Sequence, residues 1–412
     1  MDTARYEAGQ PLFHDSAGVG MQSTRLGVRL PHLSDFRSIR HNDALSNLEK
    51  IKQFGNIFVR IIDAFDAIDS NYVERIGYNF TAMLQATTNY EFYSIGTRNY
   101  VERLTFMQHP DLRVGPYFGW KWLFLGYTFD VSNIGTRKTS SSRTELSIYT
   151  SMIGVDLIRR STGNDFFIGR VRGLGDEARS YEGQDCQFIK SRMTGINLYY
   201  NFNHRRFSAP AVFSQSAIQR RSAGSWQLGT SITLHRVDFN YNVLPRALLA
   251  KTEVNDEYVV LEYLNYNDYS LTGGYAYNWV PAPKWCVGIV LTPMVGYKRA
   301  SMQTLALHES ITASTTDGDP EKVELIPMRK SYINEGTINV GGTGRIGVIY
   351  NTGRWFAGLF GIGHMYRYNH KGFRFINTFG TINLCGGFYF QRKKENKADK
   401  SNIKAKADIS LP

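Results

Sequence analysis

The most distinctive polar run in the chain covers residues 219–226 and reads QRRSAGSW. Its two arginines, Arg220 and Arg221, precede a short small-residue segment and then a strand pattern. Guanidinium groups donate paired hydrogen bonds to phosphates and carboxylates. We therefore predict that Arg220 and Arg221 bind an anionic ligand or a lipid headgroup. The alternative is an ordinary loop whose arginines lie at a membrane interface.

Hydrolysis is the second chemistry to consider. A nucleophile, a base and an orienting group on neighbouring strands leave no linear motif. His235 with Ser231, or His364, are the candidates of this kind. The chain contains no HExxH, GxSxG or GxxxxGK motif. We therefore predict no catalytic residue and favour a protein that is not an enzyme, with a lipid hydrolase as the alternative.

The sequence also gives no support for a cofactor or a metal site. Residues 342–347 match GxGxxG, but a dinucleotide site needs a helix after the glycines, and here a strand pattern runs through them. The three cysteines, Cys186, Cys286 and Cys385, are far apart and form no CxxC pair. We predict neither a cofactor nor a metal site.

Strands must position all of these residues. Residues 196–203, INLYYNFN, alternate strictly between apolar and polar side chains, which is typical of a strand with two different faces. The same texture continues from about residue 78 to residue 392. The chain of 412 residues has 25 Tyr, 25 Phe and 38 Gly, a composition that favours pleated sheets with bends.

These strands predict a membrane protein without a membrane helix. No run of ~20 apolar residues is present, and a mean hydropathy of −0.32 fits strands of which only alternate residues face lipid. Many strands end in aromatic residues, as at membrane interfaces. We predict an all-β fold: an antiparallel up-and-down transmembrane β-barrel of about twelve strands with an N-terminal amphipathic helix. A soluble β protein is the alternative.

Four regions follow from the pattern: a disordered or loosely attached arm at 1–43, an amphipathic helix at 44–70, the barrel at 71–391 and a basic disordered tail at 392–412. The net charge of +12 lies largely in this tail and in turns, so no nucleic-acid partner is predicted. Residues 1–30 lack the basic start and apolar core of a signal peptide, which keeps the soluble alternative open.

Three local predictions depend on the phase of the alternation. The strand that begins at Trp226 changes phase near Arg236, which predicts a β-bulge. A second strand is predicted from Phe207, and Pro210 inside it requires a bulge or an edge position. Residues 299–329 are predicted to form a long polar loop.

The chain resembles a known family at these same residues. Residues 207–213, 215–216 and 221–226 resemble the "FSYRAAFxQxExQKKSAGSFLLGG" core of domain of unknown function 4421. Residues 69–73 are close to the family's "DTNYI" opening, and residues 79–81 with 84–86 also resemble the family. The resemblance extends over roughly residues 66–390. Ala217 and Ile218 depart from the family, which often has an acidic residue followed by Trp.

The resemblance implies a bacterial outer-membrane barrel without an assigned activity. With the pattern, it predicts a non-enzymatic narrow pore, ligand-binding barrel or structural barrel in the outer membrane. An outer-membrane lipid hydrolase and a soluble β protein remain the alternatives. The predicted partners are outer-membrane lipids and the barrel assembly machinery. The sequence specifies no small-molecule ligand.

Overall fold

The computed structural model describes residues 68–97, 101–120, 123–126, 129–131, 142–163, 165–249, 258–312, 322–369 and 373–392. The predicted arm and nearly all of the predicted helix and tail lie outside these residues. Residues 68–70, which the helix prediction included, form coil and the start of a turn. The helix prediction is wrong there, because the chain turns at Asp69, whose carbonyl accepts hydrogen bonds from the backbone N–H groups of Tyr72 and Val73.

Strands form most of the described chain. Short helices occur in the connections: α1 (Gly175–Arg179), α2 (Pro210–Phe213) and the 3-10 turns Tyr241–Val243 and Arg246–Leu248. Within the described residues, no helix is both long and apolar enough to cross a membrane. The strands are β1 Val73–Arg75, β2 Tyr78–Thr97, β3 Arg103–Gln108, β4 Asp111–Trp120, β5 Leu123–Gly126, β6 Phe129–Asp130, β7 Ser142–Tyr149, β8 Ile153–Thr162, β9 Phe166–Arg172, β10 Asp185–Cys186, β11 Ile189–Asn201, β12 Ala217–Gln219, β13 Ala223–Phe239, β14 Tyr258–Trp279, β15 Trp285–Thr312, β16 Lys322–Asn351, β17 Trp355–Asn369 and β18 Phe373–Arg392.

All strand pairs are antiparallel, and the large sheet returns to its own start. Its order runs from β7 through β8, β11, β13, β14, β15, β16, β17 and β18 to β2. β3 and β4 pair with successive parts of β2, and β3 pairs with β9, which follows β8 along the chain. The predicted all-β antiparallel up-and-down barrel is confirmed. The number of about twelve strands stays a prediction, because residues 132–141 between β6 and β7 lie outside the described chain.

The barrel has two different ends. One end, here called the turn end, holds the short connections 280–284 and 352–354, the start of β2 and the end of β18. The other end, here called the loop end, holds longer connections, of which residues 165–188 and 240–249 are described. Bacterial barrels of the outer-membrane type combine short turns on one side with long loops on the other.

Through the middle of the barrel, side chains alternate between the lumen and the outer face, as the pleat requires. On β15, Val290, Thr292 and Met294 are buried in the lumen, whereas Leu291 and Val295 are exposed on the outer face. The exposed large apolar side chains are therefore a feature of the outer wall, and polar side chains occupy much of the lumen.

The predicted bulge near Arg236 is wrong. β13 keeps one register with β11 and β14 through this point. What changes is the environment, since Trp226 and Leu234 face outward while Val237 and Phe239 face into the lumen and are buried. Along the strand, the apolar side chains lie on the outer face up to one level of the barrel and on the inner face beyond it. In the sequence, this exchange looks the same as a change in the phase of the alternation.

Two further predictions are corrected. Residues 207–213 do not form a strand: Pro210 begins α2, where its missing N–H and fixed φ suit the first helical turn. Residues 299–329 are not one long loop, because β15 extends to Thr312 and β16 starts at Lys322. Polar residues there are compatible with strands, since this part of the outer face is polar.

Apolar clusters fill both ends of the lumen. At the turn end, the segment 203–222, here called the plug, inserts Phe207 and Val212 among inward side chains such as Phe356. At the loop end, Phe188 and Leu248 from the connections pack with inward strand residues. The polar part of the lumen lies between these two clusters.

Candidate functional site

The middle of the lumen contains ion pairs in which both side chains are buried. Among the described residues, three such pairs bridge the lumen or its wall. They are Arg160–Glu91 at 3.5 Å, Lys298–Asp268 at 2.9 Å and Arg345–Asp156 at 2.5 Å. Every side chain in these pairs is 7% exposed or less. The six residues carry three positive and three negative charges, so the group is electrically balanced.

Additional contacts hold two of the three cations in place. The Lys298 ammonium group donates to the Arg367 carbonyl at 3.0 Å and lies 4.3 Å from the centre of the Tyr266 ring. The Arg160 guanidinium stacks over Phe379, 4.2 Å from the ring centre. Burying a charge is costly unless it is paired and hydrogen-bonded. These contacts therefore describe a lumen whose middle level is occupied by paired and hydrogen-bonded side chains.

A hydrogen-bonded cluster surrounds His235 next to these pairs. The hydroxyl of Tyr93 donates to Glu91 at 2.6 Å and lies 2.5 Å from Ser191 Oγ. His235 Nδ1 is 2.6 Å from the Tyr266 hydroxyl, and its Nε2 is 3.4 Å from both Tyr93 and Ser191. All five residues are at most 2% exposed.

This cluster lacks the arrangement of a hydrolase. A serine hydrolase needs a serine, a base and an orienting acid that are linked one to the next by hydrogen bonds. The serine must also be accessible to the substrate. Glu91 orients Tyr93 rather than His235, and the serine–histidine distance is at the limit of a hydrogen bond. Ser191 and His235 are also enclosed by the loop-end cluster. The arrangement positions a buried histidine and stabilises the wall.

The histidine candidates from the sequence are placed differently from the prediction. Ser231 donates to Asn197 Oδ1 at 2.6 Å, and both Ser231 and His235 are buried side chains that face the lumen. His364 contacts Thr343 at 3.0 Å and stacks on Phe379 at 4.8 Å. The structure brings Ser191 to His235 instead, a residue 44 positions away that no local pattern could identify.

The plug closes the turn end through specific contacts. The Tyr389 hydroxyl donates to the Gln215 carbonyl at 2.6 Å, and Asn278 donates to the Ser208 carbonyl at 2.8 Å. A Cβ added at Gly288 would lie 2.9 Å from Val212, so the wall needs glycine there to accept α2. The QSAIQ part of the plug continues as β12, which pairs with β1.

Arg220 and Arg221 lie on the outside of this plug. Both side chains are exposed. Arg220 forms an ion pair with Glu74 at 2.9 Å, and the Arg221 guanidinium lies 6.0 Å from the centre of the Tyr72 ring. They do not point into the lumen, so an inward anion site is not formed there. Binding of an anionic ligand from the turn-end solvent or headgroups stays a prediction.

The three cysteines and the glycine motif all lie in strands of the large sheet. Cys186, Cys286 and Cys385 are buried and unbridged. Residues 342–347 lie within β16 and continue its pairing with β15 and β17. Within the described residues, no cluster of three potential metal ligands is found.

Comparison with known proteins identifies one family. The family model described as Domain of unknown function (DUF4421) matches residues 67–390. No curated protein matches the chain.

Solved structures with a similar chain path are outer-membrane proteins. The outer membrane protease OmpT from Escherichia coli is 7% identical, with 77% of this chain and 98% of that chain covered, at a TM-score of 0.32. The toluene transporter TodX of P. putida is 8% identical, with 76% and 91% covered, at a TM-score of 0.23. Ail, the attachment invasion locus protein of Yersinia pestis, is 8% identical, with 76% and 99% covered, at a TM-score of 0.18. TM-scores this low do not support a functional assignment.

Proposed function

Because the chain belongs to the family described as Domain of unknown function (DUF4421), we propose that it is an outer-membrane β-barrel with a closed lumen. In this proposal it acts as a structural or ligand-binding barrel through its surfaces, not as an open pore or an enzyme. The barrel assembly machinery would insert it, with the aromatic end of β18 as the recognised strand.

The observation that carries the membrane proposal is the exchange of apolar and polar faces along the strands. On β15, Leu291 and Tyr297 are exposed on the outer face, and the next outward residue, Arg299, begins a polar stretch. Beyond this level the inward residues Ala300 and Met302 are buried and apolar. An apolar outer wall around a charged lumen is stable in a bilayer and unfavourable in water.

The height of the apolar wall supports the same proposal. On β14 the exposed apolar side chains run from Tyr269 to Trp279, which is ten residue steps. At about 3.4 Å per residue and a tilt of about 40°, this length corresponds to roughly 26 Å across the bilayer. Transmembrane barrels carry an apolar band of about 25 Å. Trp226, Trp279 and Trp355 mark its turn-end border, as interfacial tryptophans do.

The filled lumen favours a closed barrel over a pore. The balanced ion pairs occupy the middle, and apolar clusters occupy both ends. An ion entering this path must separate buried partners and displace the plug, which costs several kcal/mol for each buried charge. Of the predicted narrow pore, ligand-binding barrel and structural barrel, the geometry therefore favours the narrow pore least.

The test is membrane fractionation followed by conductance of the purified protein in planar bilayers. We expect the native protein in the outer-membrane fraction, a shift in migration between heated and unheated samples, and no stable channel openings. The matched comparison is a variant in which a short turn replaces residues 203–222, provided that it keeps the heat-dependent shift. Openings in the unaltered protein would contradict the closed lumen, and solubility without detergent would contradict the membrane proposal.

A further inference from the structure

A groove of about 320 Å³ lies on the outer wall between β7 and β13. Its floor and sides are apolar, and their outward residues include Leu146, Leu157, Ile196, Ile232 and Leu234. The groove ends in the direction of the loop end at Arg159 and Thr194. It is therefore an apolar groove on the outer wall with a basic side chain at its loop-end limit.

Arg159 is one of three arginines that cluster on neighbouring strands. Arg192 of β11 and Arg236 of β13 are directly opposite each other in the register, and Arg159 of β8 is the diagonal neighbour of Arg192. All three are exposed on the outer face. Asp238 pairs with Arg236 at 2.9 Å. In the described part of the chain, neither Arg159 nor Arg192 forms an ion pair.

Three arginine charges lie together here, and in the described part of the chain the Asp238 carboxylate pairs with one of them. Like charges placed directly opposite each other on a sheet destabilise it, and the cross-strand Arg192–Arg236 pair is of this kind. Arginines also match phosphate groups through paired hydrogen bonds. The cluster lies at the level where the outer wall changes from apolar to polar, which is where phosphates of lipid headgroups are found.

We propose that Arg159, Arg192 and Arg236 bind the phosphate of a phosphorylated lipid whose acyl chain lies in the adjoining groove. The site faces the leaflet at the loop end, and this assignment rests on the proposed membrane location. The apolar groove selects a lipid over free phosphate, because a free phosphate has no group to place against Leu157 or Ile232. The site is separate from Arg220 and Arg221, which lie at the turn end.

The experiment titrates the purified protein in dodecyl maltoside micelles with diphosphoryl lipid A. The thermal midpoint of the heat-dependent gel shift measures stabilisation. The variant Arg159→Gln/Arg192→Gln is compared with the control Arg299→Gln/Arg367→Gln, which removes two cations from the same end on β15 and β17. Phosphatidylcholine tests the lipid chain without net charge, and inorganic phosphate tests the anion without a chain.

We expect lipid A to raise the midpoint of the unaltered protein and of the control. The site variant should need about 25-fold more lipid A, since each of the two removed cations near an anionic membrane surface contributes about five-fold. Without lipid, the site variant should be at least as stable as the unaltered protein, because the Arg192–Arg236 repulsion is gone. This combination separates lost binding from poor folding.

Several outcomes would overturn the site. They are equal stabilisation of the site variant, an equal loss in the control, and an equal effect of inorganic phosphate or phosphatidylcholine. Each can be observed while the protein still requires detergent and shows the heat-dependent shift. A failure of the membrane proposal is distinct, because the protein would then stay soluble and folded without detergent.

Discussion

The buried pair Lys298–Asp268 gives the sharpest test of a dry lumen. The ammonium group lies 2.9 Å from the carboxylate, and the side chains are 1% and 7% exposed. Asp268→Asn keeps the shape of the side chain and leaves the Lys298 charge without its partner. Removing one member of a buried pair typically destabilises a protein by about 3–5 kcal/mol. We expect a loss in this range, and a similar loss for Lys298→Met.

The double variant Asp268→Asn/Lys298→Met should recover part of the loss. It leaves no buried unpaired charge, and replacing a buried ion pair as a unit is often near neutral. The pair Arg236–Asp238 provides the control, since its distance is also 2.9 Å while its side chains are 55% and 44% exposed. Asp238→Asn should cost no more than about 1 kcal/mol.

Equilibrium urea unfolding in lipid vesicles, followed by tryptophan fluorescence, measures these free energies of unfolding. The four single and double variants at Asp268 and Lys298 form a double-mutant cycle, which isolates the coupling between the two side chains. If Asp268→Asn costs as little as Asp238→Asn, water must reach the buried pair. The lumen would then be hydrated, and the closed-barrel proposal would fail with it.

Three further changes test other parts of the structure. Gly288→Ala places a Cβ 2.9 Å from the plug and should destabilise the protein by about 1–3 kcal/mol in urea unfolding, whereas Gly273→Ala meets nothing within 4 Å and should be near neutral. Ser191→Ala should leave any release of fatty acid from ester lipids at background level, and a rate that disappears with this change would reveal a hydrolase. In vesicles, a cysteine at Ser301 should react with a water-soluble maleimide and one at Leu291 should not; equal labelling would contradict the membrane boundary.

The strands could be predicted from sequence because their signal is local. Alternation over a few residues, as in 196–203, directly reflects which side chains face each side of the wall. The helix α2 could not be predicted in the same way, since its four residues are too few to show helical spacing. Its burial in the lumen depends on glycines such as Gly288 and Gly347 that are distant in the chain.

The polar lumen also could not be assembled from the sequence. Arg345 and its partner Asp156 are 189 residues apart, and each appears alone in an ordinary strand pattern. Arg220 and Arg221 attracted attention because they are adjacent, yet they lie outside the lumen. Arg159, Arg192 and Arg236, the residues of the proposed lipid site, come together only through the strand register, and no sequence run contains them.

The change of phase near Arg236 shows how a bulge can be distinguished from an environmental boundary. A bulge belongs to one strand and shifts its register, whereas a boundary must cross neighbouring strands at the same level.

The row Leu234, Asn267 and Arg299 is continuous in the pairing of β13, β14 and β15. On all three strands the outer face is apolar on the turn-end side of this row and becomes polar at or just beyond it, while the inner face becomes apolar. The register stays intact across the row, so the surroundings change there and the backbone does not. A bilayer surface is the simplest environment that imposes such a change on neighbouring strands together, and under the membrane proposal the arginine cluster would lie at the level of lipid phosphates.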